Sequence, residues 1–294
     1  MNDDVDKVDK GIILKCISGK YTVFSAGNSL ECTARGIFRK DKITPLPGDE
    51  VFIKNNVILS IGERRNVFIR PPVANVDQLA FFVPVKSPDP DLYLVDKMIL
   101  TARLQNIDVI LCINKEDCDE KNYSKELDAI YMGAGVKVVV MSALHKNNRG
   151  IDEIRQLFQG KITVLSGQSG AGKSTALNSI FQEEIMETGD ISSKTQRGKH
   201  TTRHCELFQF GSGFIIDTPG FSSYELPEIL STSLKDLYPE FDNYANGCKY
   251  KECVHINEPD CAVKTALSSG FINCGRYERY IRFYEEMLVR ARRY

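Results

Sequence analysis

No run in this chain approaches the roughly 18 apolar residues that a bilayer-crossing helix needs, so no membrane partner is expected. A strong net charge is also missing. The 38 Lys and Arg stand against 39 Asp and Glu, for a formal charge of −1. The molecule as a whole is therefore not a polycation that grips nucleic acid by charge alone. The first residues, Met1-Asn-Asp-Asp-Val, are acidic and hold no apolar segment, which argues against a secretory signal. There is no internal repeat and no low-complexity stretch. The cysteine count is odd: nine in 294 residues, which disfavours a disulfide scaffold. These absences point to a soluble, cytoplasmic protein.

With 294 residues, 42% of them hydrophobic, the chain can bury a sizeable core and form two or three domains. Its charge is uneven. Lys194 to His204 holds four Lys or Arg and no acid, and the last 24 residues carry six Arg against three Glu. Such patches suit an anionic partner such as RNA, although most charge runs are solvated faces.

Residues 11 to about 65 read as short strands. Gly11-Ile-Ile-Leu-Lys-Cys-Ile, Tyr21-Thr-Val-Phe, Leu30-Glu-Cys-Thr-Ala and Glu50-Val-Phe-Ile-Lys are separated by Gly and Pro turns. This spacing predicts a small all-β unit, and an OB-like barrel of five strands fits the length. From Arg70-Pro71-Pro72 the pattern changes. Leu79-Ala-Phe-Phe-Val-Pro-Val and Asp108-Val-Ile-Leu-Cys-Ile are continuous apolar runs, as in buried parallel strands. Further strands are expected over 136–141, 161–166 and 214–217. Helices are expected over 92–104, 125–132, 151–158 and after residue 174. Alternation of this kind predicts a doubly wound α/β sheet with ligands at the carboxyl ends of its strands. After about residue 224 the pattern is mainly helical. The domains are thus expected at 1–66, 67–224 and 225–294.

Gly167-Gln168-Ser169-Gly170-Ala171-Gly172-Lys173-Ser174 fits a phosphate-cradling loop at every fixed position, with a strand before it and a helix after it. Its glycines let backbone N–H groups turn inward, and the helix N-terminus favours anions. Lys173 would reach the β- and γ-phosphates, and the Ser174 hydroxyl would ligate Mg²⁺. Such a loop does not select the base. Asn114-Lys115-Glu116-Asp117, at the end of a buried strand, supplies that selection. The Asp117 carboxylate can accept from guanine N1–H and the exocyclic amine, whereas adenine would leave it unpaired. Lys115 can lie over the base and Asn114 can brace neighbouring loops. Backbone N–H groups of Ser142-Ala143, ending the next strand, would meet the guanine carbonyl.

Asp217-Thr218-Pro219-Gly220 follows the last of these strands. Asp217 would hold Mg²⁺ through water, and the Gly220 N–H would sense the γ-phosphate. Between the two phosphate motifs lies Gly198-Lys199-His200-Thr201-Thr202-Arg203, where Thr201 or Thr202 could close on Mg²⁺. Where many GTPases carry a water-orienting glutamine, this chain has Phe221, so basal hydrolysis should be slow. His200 is the candidate to order the water instead. The base-reading segment precedes the phosphate loop, the reverse of the ordinary GTPase order. The domain is therefore expected to be circularly permuted, with motifs in the order G4-G5-G1-G2-G3.

Cys248-x4-Cys253-x-His255-x5-Cys261 offers three thiolates and an imidazole, a closed set suited to one structural zinc ion. Cys274 is an alternative ligand. A metal knot would support a segment of roughly 70 residues, too short for a large core.

In combination, Asn-Lys-x-Asp, Ser-Ala, Gly-Gln-Ser-Gly-x-Gly-Lys-Ser, Gly-x-His-Thr-Thr, Asp-Thr-Pro-Gly-Phe and Cys-x4-Cys-x-His-x5-Cys resemble the bacterial GTPases that depend on the small ribosomal subunit. Ala34-Arg35-Gly36 and the stretch from Arg70 to Asp77 extend the resemblance over nearly the whole chain. It implies a multidomain protein: an N-terminal all-β OB-like barrel, a permuted P-loop GTPase, and a C-terminal, mainly α zinc-binding domain. It implies GTP hydrolysis stimulated by the 30S subunit during its late maturation, with 16S rRNA, GTP and GDP as partners. Carried over by residue, it puts Asn114, Lys115 and Asp117 on guanine, Ser166 through Ser174 on phosphates and Mg²⁺, and Cys248, Cys253, His255 and Cys261 on zinc. That family also has a hydrophobic residue at Phe221 and usually valine at Ala171, a harmless change in a loop that works through its backbone. A monomer is expected. The competing readings are a P-loop ATPase, which would need no Asn-Lys-x-Asp, and an RNA-binding module with a structural nucleotide.

Overall fold

The computed structural model describes residues 8–36, 38, 43–68, 72–144, 149–188, 205–217 and 229–291, with backbone alone for 182–188 and 217. Five strands come first: β1 (Asp9–Ile17), β2 (Lys20–Ser25), β3 (Asn28–Ala34), β4 (Glu50–Lys54) and β5 (Val57–Ile61). They close into a barrel in the order β1-β2-β3-β5-β4, the predicted OB-like architecture. The β1–β2 and β2–β3 hairpins turn on Ser18-Gly19 and Ala26-Gly27. All four of these residues have positive φ, between 48° and 82°. Two such residues in a row match the right-handed twist of the flanking strands. Alternate residues then point inward, and Ile13, Val23, Cys32, Val51, Ile53 and Ile58 form the barrel core.

A short ribbon, β6 (Val67–Phe68) with β7 (Val73–Ala74), leads out of the barrel. Asn75 fastens this exit: its amide donates to the Gly48 carbonyl at 3.0 Å and its side-chain oxygen accepts from Arg65 N at 2.9 Å.

The central layer comprises β8 (Gln78–Pro84), α1 (Leu92–Arg103), β9 (Asp108–Asn114), α2 (Tyr123–Gly133), β10 (Lys137–Val140), α3 (Arg149–Phe158), β11 (Ile162–Gly167), α4 (Lys173–Thr188), β12 (Phe208–Phe210) and β13 (Gly213–Asp217). Among the described residues the sheet runs β10-β9-β8-β11-β13-β12, parallel except for β12. Every residue of β8 and β11 is buried, because helices cover both faces of a parallel sheet. Val95, Met98 and Ile99 of α1 and Leu127 and Tyr131 of α2 fill one face. Ile151 and Ile154 of α3 and Ala176 and Ile180 of α4 fill the other.

Two details differ from the sequence reading. Helix α2 begins at Tyr123 rather than Lys125, because the Asp119 carboxylate accepts the amides of Tyr123 and Ser124 at 2.8 and 2.9 Å and so satisfies the free donors of an earlier first turn. The antiparallel edge strand β12 is not among the expected strands. Beside it Leu207 N donates to Leu14 O at 2.9 Å, and Lys15 pairs with Glu206 at 2.8 Å, so the barrel abuts this edge.

The C-terminal part holds a 3-10 turn (Ser231–Leu237) and helices α5 (Pro239–Ala245), α6 (Ala262–Ser268) and α7 (Cys274–Ala291). Its core is aromatic: Tyr238 stacks on Phe241 at 5.2 Å, and Tyr280 meets both edge-on at 5.0 and 5.1 Å. Helix α7 is docked by a face that includes an arginine. Arg276, Tyr277, Tyr280, Phe283 and Met287 are buried, while Ile281, Tyr284 and Leu288 are only half-buried. An arginine can face inward here because Asp96 and Glu240 neutralise it, both at 2.7 Å.

Candidate functional site

A parallel sheet brings the carboxyl ends of β9, β10, β11 and β13 to one edge, and the sequence motifs gather there. The loop after β11 turns on Gly170 and Gly172, with φ of 78° and 80°. At Gly172 a Cβ would come within 2.6 Å of Asn114 Nδ2, so both backbone conformation and space demand glycine. The loop runs into α4, where Lys173 is half-buried and Ser174 is exposed at the helix N-terminus.

Asn114, the last residue of β9, joins this loop to the end of β10. Its Nδ2 donates to the Ala171 carbonyl at 2.8 Å, and its Oδ1 accepts from Ala143 N at 3.0 Å. Both bonds are buried. The next residue, Lys115, is left-handed, with φ of 67°, and its ammonium donates to the Ser87 carbonyl. The exposed Asp117 carboxylate accepts the hydroxyl of Ser142. Glu116 holds position through its backbone, donating to Met141 O at 3.1 Å, while its side chain is exposed. Ser179 of α4 completes the frame by donating to Ala143 O at 2.8 Å.

Asp117, Asn114, Ser142-Ala143 and the loop from Gly167 to Ser174 are thus one surface. Its anion-favouring helix end lies beside an open carboxylate, which suits a purine nucleotide phosphate whose base offers donors. Ser166 is fully buried at its base, its hydroxyl without a partner among the described residues. Asp217 closes β13 in register with Leu165 of β11, which sets its backbone beside the phosphate loop's own strand. His200, Thr201, Thr202, Gly220 and Phe221 lie outside the described residues.

Sequence reasoning missed one wall of this site, the segment 85–91. Gln168 accepts from Asp91 N at 2.8 Å and donates to Asp89 O at 2.7 Å. A Cβ at Gly170 would sit 3.0 Å from Pro88 Cδ. The available signal was position: Ser87-Pro88-Asp89-Pro90-Asp91 is turn-forming and follows the carboxyl end of a central parallel strand, where ligands bind.

A second cluster lies in the C-terminal part. One donor atom from each of Cys248, Cys253, His255 and Cys261 lies within 4.8 Å of the others. His255 Nδ1 is 3.5 Å from Cys248 Sγ and 3.4 Å from Cys261 Sγ, and those sulfurs are 3.8 Å apart. Tetrahedral sulfur ligands about 2.3 Å from a metal are spaced by about 3.8 Å, so these residues could hold one.

Burial pulls His255 below its ordinary range, favouring the neutral imidazole that binds metals. Burial pushes the Cys248 thiol up, but backbone hydrogen bonds from Val263 and Ala262 outweigh it and the net shift is downward. Burial and the neighbouring thiols push Cys253 up to about 12. A cation among these groups would favour the thiolate form of Cys253 that burial opposes.

The surrounding backbone is pinned. Tyr277 and Tyr280 donate to His255 O and Val254 O at 2.5 and 2.6 Å, and Lys235 donates to Cys253 O at 3.0 Å. Cys274 lies outside the cluster, exposed and bonded to Glu278 at 3.3 Å.

Comparison with known proteins gives the family of this chain. Residues 61–227 match the family model described as RsgA GTPase, and residues 10–57 match the RsgA N-terminal domain. The chain is 44% identical to the small ribosomal subunit biogenesis GTPase RsgA of Ruminiclostridium cellulolyticum, over 94% of this chain and 93% of that protein. It is 41% identical to the protein so named from Geobacillus kaustophilus, over 97% and 99%. Among solved structures it resembles YloQ, described as a circularly permuted GTPase, with a TM-score of 0.83, 31% identity, and coverage of 99% of this chain and 98% of that one. It also resembles YjeQ from Thermotoga maritima, with a TM-score of 0.83, 33% identity, and coverage of 96% and 99%.

Proposed function

We propose that this chain, which belongs to the RsgA GTPase family, binds the 30S ribosomal subunit and hydrolyses GTP late in that subunit's maturation. The single observation that carries the reading is the pair of hydrogen bonds made by Asn114, donated to Ala171 on the glycine loop and accepted from Ala143, whose neighbour Ser142 bonds Asp117. It ties phosphate cradle and base selector into one guanine nucleotide site despite their reversed order in the chain.

In this reading Asp117 and Lys115 hold guanine, with backbone N–H from Ser142 and Ala143. The loop from Ser166 to Ser174 holds the phosphates, and Lys173 offsets their charge. Mg²⁺ would sit on Ser174 and on Thr201 or Thr202, with Asp217 behind water, and would neutralise charge on the phosphate oxygens. Gly220 would sense the γ-phosphate, and His200 would orient the attacking water. Cys248, Cys253, His255 and Cys261 would hold one structural zinc ion. In this reading the chain divides into 1–66, 67–224 and 225–294, with the nucleotide on the middle part and 16S rRNA as a partner. The protein works in the cytoplasm as a monomer. Among the described residues no helix is long and apolar enough to cross a membrane.

The test is nucleotide turnover with and without purified 30S subunits. GTP hydrolysis should be slow alone, rise severalfold with 30S, and exceed ATP hydrolysis throughout. Turnover indifferent to 30S would overturn the ribosomal reading, and equal use of ATP would overturn the guanine site.

A further inference from the structure

Helix α1 touches both functional regions. At its N-terminal end lies the phosphate loop. Gln168 bridges to the segment leading into α1, accepting from Asp91 N at 2.8 Å and donating to Asp89 O at 2.7 Å. The Asp91 side chain then caps the helix, accepting from Leu94 N at 3.0 Å. The backbone of Gln168 is fixed as well: its N donates to Phe82 O and its carbonyl accepts from Ala171 N, both at 3.0 Å. A shift of the loop's amides toward a phosphate therefore moves the group that holds the cap of α1.

Along its side, α1 is fastened to α7 of the C-terminal part. Asp96, fully buried, accepts from Arg276 at 2.7 Å and from Arg279. Tyr93 stacks on Phe283 at 4.5 Å and donates to Glu286 at 2.6 Å, and Arg282 lies 3.9 Å from its ring centre. From the last residue of the helix, Arg103 reaches Leu237 O at 2.7 Å. A helix of 12 residues is about 18 Å long. It is thus held to the phosphate loop at one end and to the metal-cluster domain along its flank.

We propose that α1 couples nucleotide occupancy to the C-terminal domain, with Gln168 as the positioning residue at the nucleotide end and the Tyr93/Asp96 contacts with α7 at the other. The proposal rests on the guanine nucleotide reading of the site. It supplies a route that does not pass through the chain after Asp217. Linkage makes the coupling reciprocal: a partner that grips α7 changes nucleotide affinity by the same factor with which nucleotide changes the partner's affinity.

The experiment is hydrogen exchange on the full chain with and without saturating GDP, with occupancy measured on the same samples by calorimetry. In the native protein GDP should slow exchange at α4 and also, about fivefold or more, at the amides of Tyr277–Met287. In Gln168→Ala, with GDP raised until occupancy is again complete, protection of α4 should persist while that of α7 falls away. Tyr93→Phe, which keeps the ring stack and loses the bond to Glu286, should reduce the α7 response in part. An α7 response that persists in fully occupied Gln168→Ala overturns the proposal, as does its absence in the native protein with GDP bound. Failure of the native protein to bind GDP at all overturns the nucleotide reading instead.

Discussion

Asn114 Nδ2 donates to the carbonyl of Ala171 at 2.8 Å, across 57 residues of chain. The same side chain takes the amide of Ala143 at 3.0 Å. Truncation in Asn114→Ala would strand a buried donor and a buried acceptor. Each such loss costs about 1–3 kcal/mol. Nucleotide affinity should therefore fall at least about tenfold, since about 1.4 kcal/mol is a factor of ten. Titration calorimetry with GDP measures this, and unchanged affinity would mean that the brace is dispensable.

Gly172→Ala should abolish nucleotide binding with little loss of fold. The new Cβ would meet Asn114 Nδ2 at 2.6 Å, and the residue's φ of 80° strains any side chain. Gly133→Ala is the matched control. It lies at the end of α2 with no atom within 4 Å of its Cβ, so it should raise the melting temperature slightly through helix propensity. Nucleotide binding by Gly172→Ala equal to the native protein would refute the close packing described for the loop.

Asp117→Asn exchanges an acceptor for a donor at the base. Guanine's exocyclic amine then loses its acceptor and faces a second donor, while the remaining oxygen still accepts N1–H and the C2 carbonyl of xanthine gains a donor. Affinity for GDP should drop about a hundredfold or more, in keeping with the cost of unpaired buried polar groups. Xanthosine diphosphate should bind the variant better than the native protein. Competition binding with the two nucleotides gives the answer, and a variant that still prefers GDP would remove Asp117 from base selection.

Chelation should destabilise the C-terminal part selectively. If the three crowded thiols and buried imidazole hold the proposed zinc ion, its binding to the folded state is itself folding free energy. Treatment with a strong chelator should lower the melting temperature, and zinc should restore it where magnesium does not. Cys248→Ser should mimic chelation, whereas Cys274→Ser, outside the cluster, should not. A melting curve indifferent to chelator would mean that the cluster holds no metal.

Arg276→Met removes the buried cation between Asp96 and Glu240. Breaking a buried pair by deleting one partner costs about 3–5 kcal/mol. Arg279 still faces Asp96, so a loss near about 3 kcal/mol, at the lower end of that range, is expected in urea unfolding. A change too small to measure would show that the ion network is balanced by its own desolvation.

Much of this protein was legible from local chemistry. The barrel could be read because its strands alternate and turn on paired residues such as Ser18-Gly19. The sheet could be read because β8 and β11 are apolar at nearly every position. Asn114, Asp117, Lys173 and the Cys/His set announced themselves because their residue types have few other uses at such spacing. Strand β12 could not be read, because a three-residue edge strand holds too little apolar pattern to stand out. The segment Ser87-Pro88-Asp89-Pro90-Asp91 has only turn-forming residues to mark it, since its partner, Gln168, lies 77 residues from Asp91 in the chain.

The sequence by itself determined which motifs are present and in what order: Asn114-Lys115-Glu116-Asp117 before the glycine loop from Gly167 to Ser174, and a Cys/His cluster after both. Only the tertiary structure decided which of these groups meet. It placed Asn114 between two loops, excluded Cys274 from the cluster, and turned Arg276 of α7 inward. The physical reason is that composition and periodicity are properties of neighbouring residues, whereas the neutralisation of Arg276 depends on Asp96, 180 positions away. A charged side chain reads as surface until the fold supplies its counter-charge.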